Sequence, residues 1–128
     1  MDKIKKLDEV FSEFIRLRDS KPYGFKAFKC ISCGRVLPFS MADCGHFVKR
    51  SNQATRWDEE NCHAQCIDCN RFRDGSYDAF SRSLVIRLGQ DKVEELIRRG
   101  HQTVKFSKSE IDEKIRYYKE QIKEIKRG

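Results

Sequence analysis

A chain of 128 residues and 15.2 kDa has room for one ordinary domain, since single cores usually span about 100–200 residues, and a multi-domain machine is excluded. With 38% apolar and 37% charged residues, the core is modest, so a further staple is expected in a domain that buries only about two-thirds of its unfolded surface. The excess of 27 Lys and Arg over 20 Asp and Glu, net +7 with a pI near 9.2, favours a polyanionic partner, DNA or RNA before others.

In chain order, Ile4, Leu7, Val10, Phe11, Phe14, Ile15 and Leu17 recur mostly at three- and four-residue steps, which predicts a first amphipathic helix. Met1–Val10 holds three Lys and three acids instead of an apolar signal core, and no stretch approaches 18 apolar residues, so neither export nor a membrane span is expected. Asp19, Ser20, Pro22 and Gly24 break the helix, because Pro lacks an amide proton and biases its predecessor away from the helical region. The sequence divides into a helix and turn over 1–24, a loop-rich centre over 25–75 and a helical extension over 76–128, read together as one domain of 1–128.

The centre holds all six cysteines and short extended pieces, Arg35 to Leu37 and Ala42 to Val48. Beyond it, Ser76 to Leu88 and Gln90 to Arg99 read as helices, with Gly89 and Gly100 expected as left-handed caps. Ser107 with Glu110 three residues later signals a capped helix start. Ile111, Ile115, Tyr118, Ile122 and Ile125 then form a short heptad seam, expected to pack on its own domain, with a homodimer contact as the alternative.

Cys30 and Cys33 form one C-x2-C pair and Cys66 and Cys69 a second, 32 residues apart. A reduced compartment disfavours a disulfide framework, whereas two such knuckles can surround Zn²⁺ with four thiolates and supply the missing staple. A site filled by four cysteines is closed, so this zinc would be structural and the chemistry must lie elsewhere. Cys44 and Cys62 stand outside the pairs and read as small buried hydrophobes. The long interval leaves space for an inserted hairpin carrying His46.

Cys44-Gly45-His46-Phe47, Asn61-Cys62-His63 and Cys66-Ile67-Asp68-Cys69-Asn70 resemble the HNH, or ββα-metal, nucleases that carry a four-cysteine zinc site. The C-x2-C-Asn ending is also similar to that of phage junction-resolving endonucleases. Over most of the chain, Phe14 to Asp19, Cys30 to Arg35, Gly45-His46-Phe47 and above all Asn61 to Arg71 resemble the NinG (Rap) recombination proteins of lambdoid phages. The resemblance implies an α+β fold: a small zinc-anchored, treble-clef-like ββα-metal core with flanking N- and C-terminal helices. It also implies endonucleolytic cleavage of branched DNA, D-loops or Holliday junctions, in the cytoplasm of a bacterial host. Phage recombination proteins are implied as possible partners.

Mapped by that resemblance, His46 is the general base, Asn61 the loop brace, and Asn70, with His63 as a second candidate, the ligand of a catalytic Mg²⁺ or Mn²⁺. An imidazole with a pKa near 6.5 suits proton abstraction near neutrality, and Mg²⁺ needs few protein ligands because it keeps several waters. Many of these nucleases carry an Asp ligand immediately before the base, but Gly45 stands here. Asp43 lies two residues, about 6.5–7 Å, from Gly45 in an extended strand, so His63 is preferred, or Asn70, His63, water and phosphate together. Lys49, Arg50, Arg56, Arg71 and Arg73 are expected to contact DNA phosphates, which give affinity without base specificity. The rival readings are a catalytically silent zinc-binding DNA module and a protein-interaction zinc finger.

Overall fold

The computed structural model describes residues 2–128. Asp2 caps the first helix, α1 (Lys3–Ser20), by accepting from the Ile4 amide, and the periodic apolar residues Leu7, Val10, Phe11, Phe14, Ile15 and Leu17 are buried. A 3-10 turn over Lys21–Tyr23, with Pro22 at its start and left-handed Gly24 at its end, stops the helix. Strand β1 (Ala27–Lys29) pairs antiparallel with β2 (Val36–Pro38), so the first cysteine knuckle is the turn between them.

A second two-stranded antiparallel sheet joins β3 (Ala42–His46) to β4 (Cys62–Cys66) in the register Ala42 to Cys66, Cys44 to Ala64 and His46 to Cys62. The extended piece thus stops at His46 and not Val48, and a loop over 47–61 containing the single-turn helix α2 (Gln53–Arg56) connects the strands. Because side chains alternate, Ala42, Cys44, His46, Cys62, Ala64 and Cys66 share one face. Asp43, Gly45, His63 and Gln65 share the other.

After β4 the chain makes a π-helical turn over Asp68–Phe72 and a tight bend in which Asp74, Gly75 and Ser76 all have positive φ. Helices α3 (Tyr77–Leu88), α4 (Gln90–Gly100) and α5 (Lys108–Arg127) follow. Gly89 between α3 and α4 has φ 90°, a conformation that only glycine adopts without strain. Gly100 is not left-handed. It ends α4 in helical geometry, and a Cβ there would lie 2.5 Å from Val48 Cγ1, so its glycine serves close packing instead of a cap.

Ser107 and Glu110 form the reciprocal capping box at the start of α5. Ile111, Ile115, Tyr118 and Ile122 are buried in one cluster with the apolar face of α1, and the rings of Phe11 and Phe14 lie 4.9 and 5.0 Å from Tyr118. Contacts from Lys3 to Asp112 and from Glu13 to Lys126 show that α1 and α5 run parallel. The heptad seam therefore packs on its own domain, and α1 occupies the face that a dimer contact would have used.

The β3–β4 pair lies between two helical layers. Cys44 and Cys62 meet the α1–α5 cluster, while on the other side His63 sits edge-on to Phe80 of α3 at 6.1 Å. Ile31, Phe47, Phe80, Leu84 and Val93 form the core beneath α3 and α4. Among the described residues, no helix is long and apolar enough to cross a membrane.

Candidate functional site

The two C-x2-C turns, one closing the β1–β2 sheet and one leaving β4, bring Cys30, Cys33, Cys66 and Cys69 together, with all four sulfurs within 4.8 Å of one another. A tetrahedral site with Zn–S arms of about 2.3 Å has sulfur–sulfur edges of about 3.8 Å, and Cys33 and Cys66 are 3.9 Å apart. Backbone amides point at the sulfurs: Cys66 N donates to Cys30 Sγ at 3.3 Å and Cys69 N to Cys66 Sγ at 3.4 Å. Arg35 adds Nε to Cys33 Sγ at 3.3 Å. Partial burial opposes ionisation of Cys33, yet the Arg35 guanidinium and the neighbouring donors bring its thiol down to about 6. The donor set, spacing and amide bonds fit a structural Zn²⁺ with no position left open.

A cleft of about 470 Å³ runs between α1, the end of β3 and the turn after β4; Asp8, Asp43, Cys44, His46, Lys49, Arg50, Asn70 and Arg71 are among its lining residues. His46 Nε2 lies 2.9 Å from the Arg56 carbonyl oxygen. A carbonyl only accepts, so Nε2 carries the proton and Nδ1 keeps the lone pair. Burial lowers the pKa of His46 below its usual 6.5, partly offset by the Arg56 carbonyl and the charge of Asp8. The imidazole is consequently a neutral acceptor at pH 7.

Asn70 reaches the same cleft from the π-helical turn and donates from Nδ2 to Asp43 Oδ2 at 2.9 Å, which leaves its amide oxygen as a donor toward a cation. Arg71 grips the same carboxylate with Nε and Nη2 at 2.9 and 2.8 Å. Asp43, Asn70 and His46 thus line one cleft, and His63, named with Asn70 from the sequence, does not line it. His63 lies on the opposite face of β4, where Nε2 donates to Glu60 O at 2.9 Å and Nδ1 faces Arg18 Nη2 at 3.3 Å. Burial, with the Arg18 charge, pushes its pKa down to about 4. With both ring nitrogens engaged, it has no lone pair to offer the cleft.

Asn61 is fully buried and spans the connecting loop: its Oδ1 accepts from Val48 N at 2.8 Å, and Nδ2 donates to Val48 O at 3.1 Å and Thr55 O at 3.0 Å. Of the five expected DNA cations, Lys49 and Arg50 line the cleft and form no ion pair among the described residues. The other three are paired. Arg56 is mostly buried and holds Asp8 from Nε at 3.0 Å, Arg71 holds Asp43, and Arg73 holds Asp68 at 2.7 Å. Trp57 and Phe47 are core residues; the Trp57 indole donates to Asp8 Oδ1 at 2.9 Å.

Four positioning residues, Asp8, Gln65, Arg18 and Asp19, were not singled out as site residues from the sequence. Asp8 gathers Arg56 and Trp57 and so holds the carbonyl that orients His46. Gln65, fully buried, donates to Ser32 Oγ at 2.8 Å and Gly75 O at 2.6 Å, tying the strand to the turn that carries Asn70. A Cβ on Gly45 would lie 2.9 Å from Gln65 Cβ, which explains why no side chain stands before the His. Arg18 and Asp19 of α1 clasp β4 by bonds to Cys62 O at 2.9 Å and from Ala64 N at 2.8 Å; both lie in the run Phe14 to Asp19 that resembles the family.

A family model described as Bacteriophage Lambda NinG protein matches residues 1–128. The chain is 31% identical over 124 residues to Protein ninG of Escherichia phage 933W, covering 96% of this chain and 58% of that protein. It is 30% identical over 124 residues to Protein ninG of Escherichia phage lambda, covering 96% and 57%, and 34% identical over 94 residues to Protein ninG of Enterobacteria phage H19B, covering 73% and 43%. The chain therefore spans 58% or less of the length of these relatives. No solved structure matches it significantly.

Proposed function

This chain belongs to the NinG family, and on that premise we propose that it is an HNH-type, metal-dependent DNA endonuclease acting on branched recombination intermediates, D-loops or Holliday junctions. The observation that carries the reading is the 2.9 Å bond from His46 Nε2 to the Arg56 carbonyl in a cleft shared with Asp43 and Asn70. That bond fixes the tautomer and ring plane and leaves Nδ1 to take a proton from water; general-base catalysis of this kind contributes about 10²–10⁴-fold. Asp43 and the Asn70 amide oxygen offer the hard donors that Mg²⁺ or Mn²⁺ prefers. When bound there, the ion would neutralise charge on the scissile phosphate and the leaving oxygen.

Asn61 holds the loop from which Lys49 and Arg50 reach the phosphates, with Arg71 and Arg73 as exposed cations each paired to an acid and Arg56 the most buried of the five. Zn²⁺ on Cys30, Cys33, Cys66 and Cys69 would anchor both walls, since one knuckle precedes β2 and the other carries Asn70 in its next position. In this reading 25–75 is the nuclease core and the helices of 1–24 and 76–128 complete one domain. Its setting would be the cytoplasm of an infected bacterium, beside phage recombination proteins. Resolving a junction takes two cuts, which two copies acting together would supply.

The test is nicking of a labelled four-way junction against its linear duplex, with Mg²⁺, Mn²⁺ or EDTA, by the wild type and His46→Ala, zinc content being measured in both. We expect metal-dependent junction cleavage that falls by about 10²–10⁴-fold in the variant with the zinc of the four-cysteine cluster retained. Binding without cleavage under every metal would instead identify a catalytically silent DNA-recognition module.

A further inference from the structure

Cys44 and Cys62 have no part in the four-cysteine cluster, and the β3–β4 register places both beside His46. Cys44 shares its strand face with His46, and Cys62 is the cross-strand partner of His46. The two sulfurs and one imidazole nitrogen all lie within 4.8 Å of one another. We propose that Cys44, His46 and Cys62 form a second metal site, one that takes a thiophilic ion such as Zn²⁺ and, when filled, withdraws His46 from proton abstraction.

The arrangement differs from a chance meeting of core residues in three respects. Arms of about 2.3 Å to sulfur and 2.0–2.1 Å to nitrogen give tetrahedral edges of roughly 3.5–3.8 Å, so donors all within 4.8 Å of one another need to close by at most about 1.3 Å. The Arg56 carbonyl stands against two of the three, 2.9 Å from His46 Nε2 and 3.6 Å from Cys62 Sγ, and places an oxygen beside the same point. Cys44 and His46 line the open cleft while Cys62 is fully buried, so an ion has an entrance and a closed inner end. Two thiols and an imidazole with a position left over form the donor set of an open zinc site, unlike the closed four-sulfur cluster.

The donor types keep the two cleft ions apart. Sulfur and imidazole select Zn²⁺ and disfavour Mg²⁺, whereas the oxygens of Asp43 and Asn70 do the reverse. As the soft ion binds, each thiol releases its proton to solvent and the imidazole contributes a ring-nitrogen lone pair. The same ring cannot then turn to water. This consequence for catalysis rests on the nuclease reading, but the existence of the site does not.

The purified chain is dialysed against Zn²⁺ and metal is counted by mass spectrometry for the wild type, Cys44→Ala, Cys62→Val and His46→Ala, with far-UV circular dichroism reporting the fold. We expect two zinc ions per wild-type chain and one in each cysteine variant. His46→Ala, which keeps both sulfurs, should weaken the second ion at least tenfold. Cd²⁺ added to protein holding one zinc should raise a sulfur-to-metal charge-transfer absorption that Cys44→Ala lacks. Saturation of the wild type at one ion, or a second ion that survives in all the variants, would overturn the proposal. The count involves no DNA, so a wild type that cleaves no DNA under any metal would remove the nuclease reading and leave the metal site standing.

Discussion

Replacing Gly45 by Ala tests the packing that sets the residue before His46. The new methyl carbon would lie 2.9 Å from Gln65 Cβ and 3.0 Å from Gln65 Cδ. Gln65 cannot rotate its Cβ away, because β4 is held in register with β3, so either the strands separate or the Gln65 amide leaves its place. Overpacking of a buried site costs about 1–3 kcal/mol. Moving the amide also breaks its bonds to Ser32 Oγ and Gly75 O, each worth about 1 kcal/mol. The restricted unfolded chain returns about 0.4–1 kcal/mol, for a net loss of about 2–5 kcal/mol, or roughly 7–18 °C in Tm for a chain of this size. Urea and thermal unfolding of the zinc-loaded protein read this directly. Adding Gln65→Ala to Gly45→Ala should recover about 1 kcal/mol relative to the sum of the single changes, because the amide bonds are then lost only once and the contact with Cδ goes, while that with Cβ remains. A Gly45→Ala protein as stable as wild type, or additive single changes, would refute the reasoning.

His63 makes stability depend on pH. Its pKa is about 4 in the folded chain against an ordinary 6.5, so between these values the unfolded chain binds more protons and stability falls as pH falls. The full loss is about 3 kcal/mol below pH 4, and unfolding midpoints of His63→Gln should show a shallower slope over that window. Ser107→Ala removes the side-chain half of the α5 capping box and should lower stability by about 1 kcal/mol, measured by urea unfolding. Stripping the proposed structural zinc with a chelator should release amide protection across β1 to β4 while the α1–α5 pair keeps most of its helical signal, because its aromatic cluster lies apart from the sulfurs. Uniform protection after verified metal loss would deny the metal a structural role.

The features legible in the sequence are those fixed by neighbours along the chain. Apolar spacing located α1 and α5, Ser107 with Glu110 marked a helix start, and the paired knuckles announced four sulfurs in one place. The features that escaped depend on residues brought together only by folding. Asp43 looked too far from Gly45 along the strand, yet its carboxylate meets Asn70 because the π-helical turn over Asp68–Phe72 that leaves β4 passes beside β3. His63 sat beside Asn61 in a motif that suggested chemistry, but strand alternation turns it away from His46 into contact with Arg18 and Phe80. Gly100 followed the local rule for a cap, and only the approach of Val48 from the loop after β3 shows its other use. Arg56, one of five cations near the motif, is neutralised by Asp8 from the first helix.

The parallel union of α1 and α5 also governs the order in which the chain can acquire shape during synthesis. The apolar side of α1 emerges early, but the helix that covers it begins only at Lys108. At about 5–20 residues per second, the aromatic face of Phe11 and Phe14 waits roughly 5–20 seconds on the ribosome for Tyr118 and its neighbours. Contacts that join such distant parts of a chain form slowly, and α1 is also the support on which β3 and β4 rest. The apolar face of α1, and with it the support of the cleft, is therefore completed only after translation of α5.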